Sequence, residues 1–290
     1  MVCTNTFQAD SFKYSDEKLE EIISAAIQNA KLAAEQSTGV QEKFIALDVG
    51  PLGKLLKPFG EIEFESAVES FAKKIKLGAK HGANLIYIAT MNDCLETKAA
   101  LLAAKVNCDL PVIVSNTFDQ NNKLMTGADA KAMIALLEGM GADAIGINCS
   151  FGPKQLTKIV DEYIQYASVP IILKPNAGLP EEKNGKTVVN VDEDEFCDCI
   201  EQFAKKGVRI LGGCCGTKPN YIQQIVNRTK NLKPAPITKK NKSFVSSYTH
   251  AVDFSKSPVI IGERINPTGK PKLKDALINQ DTAYVLKEAI

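Results

Sequence analysis

Short apolar runs rich in β-branched residues recur along this chain, and most are followed by a segment of helical periodicity. The runs at 2–7, 44–49, 84–89, 111–115, 144–148, 170–174 and 208–211 read as strands. Between them, apolar residues return every three or four positions. Leu19, Ile22, Ile23, Ala26, Ile27 and Ala30 form one stripe behind a Ser15 cap; Phe64, Ala67, Val68, Phe71 and Ile75 form another. Leu156, Ile159, Val160 and Tyr163 repeat the pattern, as do Phe196, Cys199, Ile200 and Phe203. Gly78 and Gly82 are expected to end the Phe64 helix, with His81 capping it. Strand alternating with helix demands parallel pairing and right-handed crossovers. A doubly wound open sheet would gather its polar residues at one switch point. Here they close nearly every run: Thr4–Asn5–Thr6, Asp48, Thr90, Ser115, Asn148–Cys149, Asn176 and Cys214–Cys215. A ring of loops fed by all the strands fits a barrel. Seven strands are visible, the first beginning at residue 2. The expected fold is therefore an α/β chain, a (β/α)8 TIM barrel lacking its first strand.

After Arg228 the texture changes. Residues 231–258 hold Lys233, Pro234, Pro236, Lys239, Lys240, Lys242 and a serine cluster, and read as a linker. A new strand is expected at Pro258–Gly262, with a helical segment from Leu273. The expected organisation is a barrel over 1–230, a linker over 231–258 and the beginning of a second domain over 259–290, too short to bury a core of its own. The net charge of +1 gives no overall drive toward nucleic acid or an anionic membrane. No apolar run approaches the ~18 residues of a membrane span, and the first residues lack the pattern of a signal peptide. A cytoplasmic protein is expected, its eight cysteines thiols or metal ligands rather than a disulfide framework.

The strongest chemical signal is Gly212–Gly213–Cys214–Cys215–Gly216–Thr217, directly after a strand. Adjacent cysteines rarely bond to each other, because the geometry is strained. Flanking glycines let the backbone turn so that both sulfurs face one centre. Cys149 closes another strand, and in a barrel both strand ends open on the same face. Three thiolates would leave one position open on tetrahedral zinc, as a working site requires. A substrate thiol entering there would bind as thiolate, which implies alkyl transfer to sulfur. The alternative is three small buried hydrophobes. Cys3, Cys94, Cys108, Cys197 and Cys199 have no ligand-like spacing, and no histidine general base is expected from His81 or His250.

Three ordered motifs, Gly146–Ile147–Asn148–Cys149–Ser150, Lys174–Pro175–Asn176–Ala177–Gly178–Leu179–Pro180 and the CC run, resemble the homocysteine S-methyltransferase family, as do Thr4–Asn5–Thr6–Phe7 and Asp48–Val49–Gly50–Pro51. Gly262–Glu263–Arg264–Ile265–Asn266–Pro267–Thr268–Gly269 resembles the opening of a methyltetrahydrofolate-binding (pterin) domain, so that 259–290 would begin a second, pterin-binding barrel. That order of domains is the one found in cobalamin-dependent methionine synthases. The resemblance implies Cys149, Cys214 and Cys215 as zinc ligands and methyl transfer to homocysteine, giving methionine. Methylcobalamin bound elsewhere would be the donor, and methyltetrahydrofolate would recharge it. It implies partner pterin and cobalamin modules beyond these residues. It also places Thr4, Asn5, Thr6, Asp48 and Asn176 around the substrate. Strand-end hydroxyls satisfying backbone, a helix cap and a turn residue are the respective structural alternatives for the threonines, Asp48 and Asn176. Glu263, Arg264 and Asn266 would face the pterin.

The pattern is broken in two places. The family's Asp-Gly strand end does not occur ahead of Thr4, and Ala89 stands where the family carries a glutamate for homocysteine's ammonium. Losing such a charge-assisted contact costs about one to two decades of affinity. Two alternatives to homocysteine methylation therefore stand: methyl transfer to another thiol, and a non-catalytic zinc-binding module of a corrinoid methyl-transfer system.

Overall fold

The computed structural model describes residues 1–289 apart from 40, 179, 184, 185, 190, 256, 263 and 264. The chain divides into two compact units, residues 1–253 and 254–290. In the first, β1 (Val2–Cys3), α1 (Asp16–Gln36), β2 (Ile45–Val49), α2 (Phe64–His81), β3 (Leu85–Met91), α3 (Cys94–Asn107), β4 (Val112–Asn116), α4 (Ala130–Gly139), β5 (Ala144–Cys149), α5 (Thr157–Tyr166) and β6 (Ile171–Pro175) alternate strictly. An antiparallel hairpin follows, β7 (Pro180–Lys183) with β8 (Lys186–Val189), then α6 (Glu193–Lys206), β9 (Ile210–Leu211) and α7 (Pro219–Thr229). The seven expected strands all form and pair in parallel, in the order β1-β2-β3-β4-β5-β6-β9. The first is shorter than the run 2–7, because beyond Cys3 the chain bends away and its threonines fasten it to the end of β2.

Strand alternation divides the apolar residues between two faces. Leu47, Val49, Ile86, Ile88, Val114, Ile145, Ile147 and Leu173 point outward into the helix layer. Ala46, Leu85, Tyr87, Ala89, Ile113, Ala144 and Ile172 form a separate inner cluster. The sheet curls around that inner face. On a flat sheet β1 and β6 would lie roughly 24 Å apart, five steps of ~4.8 Å. Yet Lys174 Nζ of β6 reaches to 3.8 Å from Cys3 Sγ of β1 and lies 4.5 Å from the ring centre of Tyr87 on β3. No lysine spans such a gap unless the strands close toward a tube. This excludes the flat open sheet. Among the described residues β1 and β9 do not pair, so the sheet is a seven-stranded curled half-barrel.

The helices start where capping chemistry allows. Ser15, Asp93, Asp129 and Asp192 each accept a backbone N–H of the first turn of α1, α3, α4 and α6. Two expectations for α2 are corrected. Gly78 does not end the helix: it lies inside, and a Cβ there would sit 2.4 Å from Leu47 Cδ2, so its missing side chain lets α2 lie on β2. Nor does His81 cap. Gly82, at φ 89°, supplies the left-handed cap, while the His81 ring meets Glu20 Oε1 at 2.9 Å.

The segment 231–258 is more than a spacer. It carries the hairpin β10 (Phe244–Ser246) with β11 (Ala251–Asp253), which packs on α4. Phe244 meets Tyr166 edge-on at 5.9 Å, and Asp129 N–H donates to Thr249 O at 3.1 Å. Its lysines and prolines made it read as linker, but a few aromatic residues suffice to dock it. In the second unit the strand expected at Pro258–Gly262 does not form, and Ile260 and Ile261 stand exposed. The helical segment does form, as α8 (Pro271–Ile278) and α9 (Thr282–Ala289). Among the described residues this unit contributes these two helices and no strand.

Candidate metal centre

The C-terminal ends of β3, β4, β5, β6 and β9 converge through one polar network. Asn148, at the end of β5, donates from Nδ2 to Thr90 Oγ1 at 2.7 Å, and its Oδ1 accepts Thr90 N–H at 2.8 Å and Ser115 Oγ–H at 2.6 Å. Because Ser115 spends its proton on Asn148, the buried Tyr87 hydroxyl donates to Ser115 Oγ, at 2.9 Å. Asn148 Nδ2 also lies 3.9 Å from Cys214 Sγ. The polar residues at the ends of β3, β4 and β5 are thus joined in one network, with Cys214 beyond β9 at its edge.

Cys149, Cys214 and Cys215 meet at this mouth, their three sulfurs within 4.8 Å of one another. Cys149 and Cys215 sulfurs lie 3.9 Å apart. Around tetrahedral zinc with ~2.3 Å Zn–S bonds, sulfurs stand roughly 3.8 Å apart. The donor set therefore fits zinc in both chemistry and spacing, with a fourth position to spare. The backbone is bent to achieve this. Cys149 and Ser150 adopt φ of 58° and 66°, a left-handed pair of non-glycine residues that costs on the order of 1–3 kcal/mol each. Phe118 N–H donates to Ser150 Oγ at 2.9 Å and Phe151 N–H to Cys149 O at 2.9 Å, which holds the turn. The CC loop is pinned against the end of β6: Cys214 N–H donates to Pro175 O at 2.8 Å, Cys215 N–H to Asn176 Oδ1 at 3.0 Å, and Ala177 N–H to Cys215 O at 2.9 Å. Thr217 closes the turn onto Cys214 O, and a Cβ on Gly213 would sit 2.5 Å from the Thr217 side chain.

The thiols share protons unequally. Hydrogen bonding from Cys214 and Asn176 pulls Cys149 down to about 5 against the burial that opposes it. Cys214 is pushed up because it donates to Cys149 and is buried, and Cys215 is pushed up by burial and by the Cys149 charge. A cation entering the cluster would displace the remaining thiol protons to solvent.

The other expected site residues are placed as follows. Thr4 and Thr6 are buried, with their hydroxyls 2.8 Å apart. Thr4 Oγ1 accepts Asp48 N–H at 3.0 Å and Thr6 donates to Asp48 O at 2.8 Å, so both hydroxyls serve the backbone. Asn5 is exposed. Asp48 caps no helix: it lies on the inner face beside Tyr87, with Oδ1 enclosed and unpartnered, and burial raises its carboxyl above the ordinary range. Asn176 is buried and orients Cys215. Leu179, Glu263 and Arg264 lie outside the described residues; Asn266 Oδ1 accepts Thr268 N–H at 2.9 Å. Sequence reasoning passed over Lys174 and the organising role of Asn148. Lys174 had a signal: a charge on the inner register of a strand whose outward residues, Ile171 and Leu173, are apolar. Asn148 had none beyond its place at a strand end.

The comparisons with known proteins agree with this geometry. The homocysteine S-methyltransferase family profile matches residues 1–229. Methionine synthase of Mycobacterium leprae is 26% identical over 299 residues, covering 97% of this chain and 25% of that protein. Methionine synthase of Mycobacterium tuberculosis is 26% identical over 291 residues, covering 96% and 24%. The chain therefore spans about a quarter of the length of these relatives. The metallated form of the homocysteine methyltransferase MmuM from Escherichia coli superposes with a TM-score of 0.66 at 20% identity, covering 78% of each chain, a likeness of fold. With a profile match over most of its length and three thiols gathered at the barrel mouth, the chain belongs to the homocysteine S-methyltransferase family.

Proposed function

We propose that this chain is the thiol-activating part of a methionine synthase, in which homocysteine's sulfur accepts a methyl group to give methionine. The observation that carries the proposal is the meeting of Cys149, Cys214 and Cys215 sulfurs at the mouth of a curled parallel sheet. These cysteines would hold zinc, which when bound supplies a Lewis acid that keeps a substrate thiol ionised at neutral pH. The chain's own residues do the rest. Asn176 orients Cys215, Asn148 ties the mouth to the floor of the tube, and Thr4 with Thr6 sets the wall at the end of β2. The thiolate attacks the methyl carbon, the carbon–sulfur bond forms, and the electron pair of the breaking bond leaves with the donor. Methylcobalamin carried by another module would suit this reaction, because its cobalt could accept that pair, and methyltetrahydrofolate would return a methyl group to the cobalamin. Residues 259–290 would begin the pterin-binding module, and Asn266 would face the pterin.

Metal analysis of the purified chain tests the centre: about one zinc per chain is expected, falling sharply in Cys214→Ser and unchanged in Cys199→Ser. Equal zinc in both variants would remove the ligand assignment. Methionine formation from homocysteine and free methylcobalamin then tests the reaction. Methylation of a simpler thiol in preference to homocysteine would favour a different substrate, to which Ala89, buried on the inner face, offers no charge.

A further inference from the structure

Below the three thiols, the inner face carries two opposite charges that do not pair. Asp48 of β2 stands opposite Tyr87 of β3 in the sheet register, and its Oδ1 is enclosed without a hydrogen-bond partner. Lys174 of β6 extends across the tube, its ammonium 4.5 Å from the Tyr87 ring centre and 3.8 Å from Cys3 Sγ. Among the described residues neither side chain forms an ion pair, although both lie on the floor that Tyr87 shares. A ring and a neutral thiol are weak partners for an ammonium, and a carboxylate oxygen without a donor is costly inside a protein. Lys74 and Lys174 attract Asp48 without reaching it, so neither Asp48 nor Lys174 has an opposite charge in contact among the described residues.

The position of the pair relates it to the cysteines. Lys174 is paired with Asn148, the neighbour of Cys149, and directly precedes Pro175 and Asn176, which hold Cys214 and Cys215. A Cβ at Gly212 would come to 3.1 Å from Lys174 Cγ, so the lysine stem runs beside the start of the CC loop. A ligand whose sulfur reached the thiol cluster would direct its other end onto this floor.

We infer that Asp48 and Lys174 together read the head group of the substrate, Asp48 accepting its α-ammonium and Lys174 its α-carboxylate, which makes the site selective for a thiol borne on an α-amino acid. The inference rests on the proposed thiol-activating function and names residues that would select its substrate. Each substrate charge would find a partner that the side chains of the floor do not provide for each other, and a thiol with one charge would leave the opposite group unanswered.

Binding of three thiols to the zinc-loaded full chain, followed by calorimetry, tests this: L-homocysteine, 3-aminopropane-1-thiol without the carboxylate, and 4-mercaptobutanoate without the ammonium. Lys174→Met is expected to weaken homocysteine by about 10- to 100-fold and to leave 3-aminopropane-1-thiol unchanged. Asp48→Asn is expected to weaken homocysteine similarly and to leave 4-mercaptobutanoate unchanged. Lys174→Arg, which keeps the charge, should recover most of the loss. Variants that bind homocysteine as the parent does, or that lose all three thiols equally, would overturn the assignment while the zinc centre stands. If the parent chain binds none of the thiols, the thiol-activating reading fails and the assignment falls with it.

Discussion

Two buried ionisable groups outside the three-thiol cluster give this fold an unusual dependence on pH. Lys74 of α2 is 2% exposed, and its ammonium donates to Thr6 O at 2.6 Å and Phe7 O at 3.3 Å, with no carboxylate in ion-pair reach among the described residues. Burial pushes it down to about 7 from 10.5, against the attraction of Asp48 and Asp10. Glu96 of α3 is 3% exposed and accepts Leu52 N–H at 2.7 Å. Burial pushes it up to about 7 from 4.5, with Asp93 and Asp10 adding to the rise. Between pH 7 and 10.5 the unfolded chain holds the Lys74 proton that the native state has released, so Lys74 contributes a rise in stability with pH there, of at most about 5 kcal/mol, opposed above about pH 9 by the buried Cys3 and Cys94 thiols, whose protons the native state keeps. Between pH 4.5 and 7 the native state keeps the Glu96 proton that the unfolded chain has lost. Stability falls across that window, by at most about 3 kcal/mol. The two limbs meet in a minimum near neutrality. Urea unfolding midpoints measured in steps from pH 4.5 to 10.5 would trace it. Lys74→Met should flatten the alkaline limb and Glu96→Gln, which keeps an acceptor for Leu52, the acid limb. Any constant loss of stability in either variant is irrelevant, because the reading is the slope. A Lys74→Met slope equal to that of the parent above pH 7 would refute the argument.

Gly146→Ala should destabilise the first unit by about 3 kcal/mol or more, since its Cβ would stand 1.9 Å from Ile172 O of the neighbouring strand; thermal unfolding measures it, and a loss below 1 kcal/mol would mean that β5 and β6 are not so close. Gly82→Ala should cost about 1–2 kcal/mol in the same assay, through the left-handed cap of α2. Phe244→Ala should raise amide exchange in β10 and β11 and leave β5 and β6 protected, because the aromatic contact with Tyr166 helps dock the hairpin; uniform protection would show that the hairpin is held by its other contacts. Chelating the metal from a zinc-loaded preparation should leave far-ultraviolet circular dichroism largely intact, since Cys149, Cys214 and Cys215 lie on strand exits rather than in the hydrophobic core, and global unfolding would contradict that placement.

Much of this molecule was legible from residue order. Periodicity of two against periodicity near four separated strands from helices, because each element must bury one apolar face. That local rule located all seven strands of the sheet, and the polar strand ends announced the rim of a barrel. The paired cysteines in a glycine-rich exit pointed to a thiol cluster, because flanking glycines let both sulfurs face one centre, and with Cys149 they do meet. What stayed hidden depended on contacts between distant segments. Gly78 looks like a terminator until Leu47 is seen against it. The stretch around Phe244 looks like a spacer until it is found on α4. The expected strand at 258–262 has the right composition but no neighbour to pair with among the described residues. A lysine in β6 and an aspartate in β2 say nothing of each other in the sequence. Only the curl of the sheet brings them to one floor, since strand alternation sets which face a side chain takes, and closure alone sets what it meets across the tube.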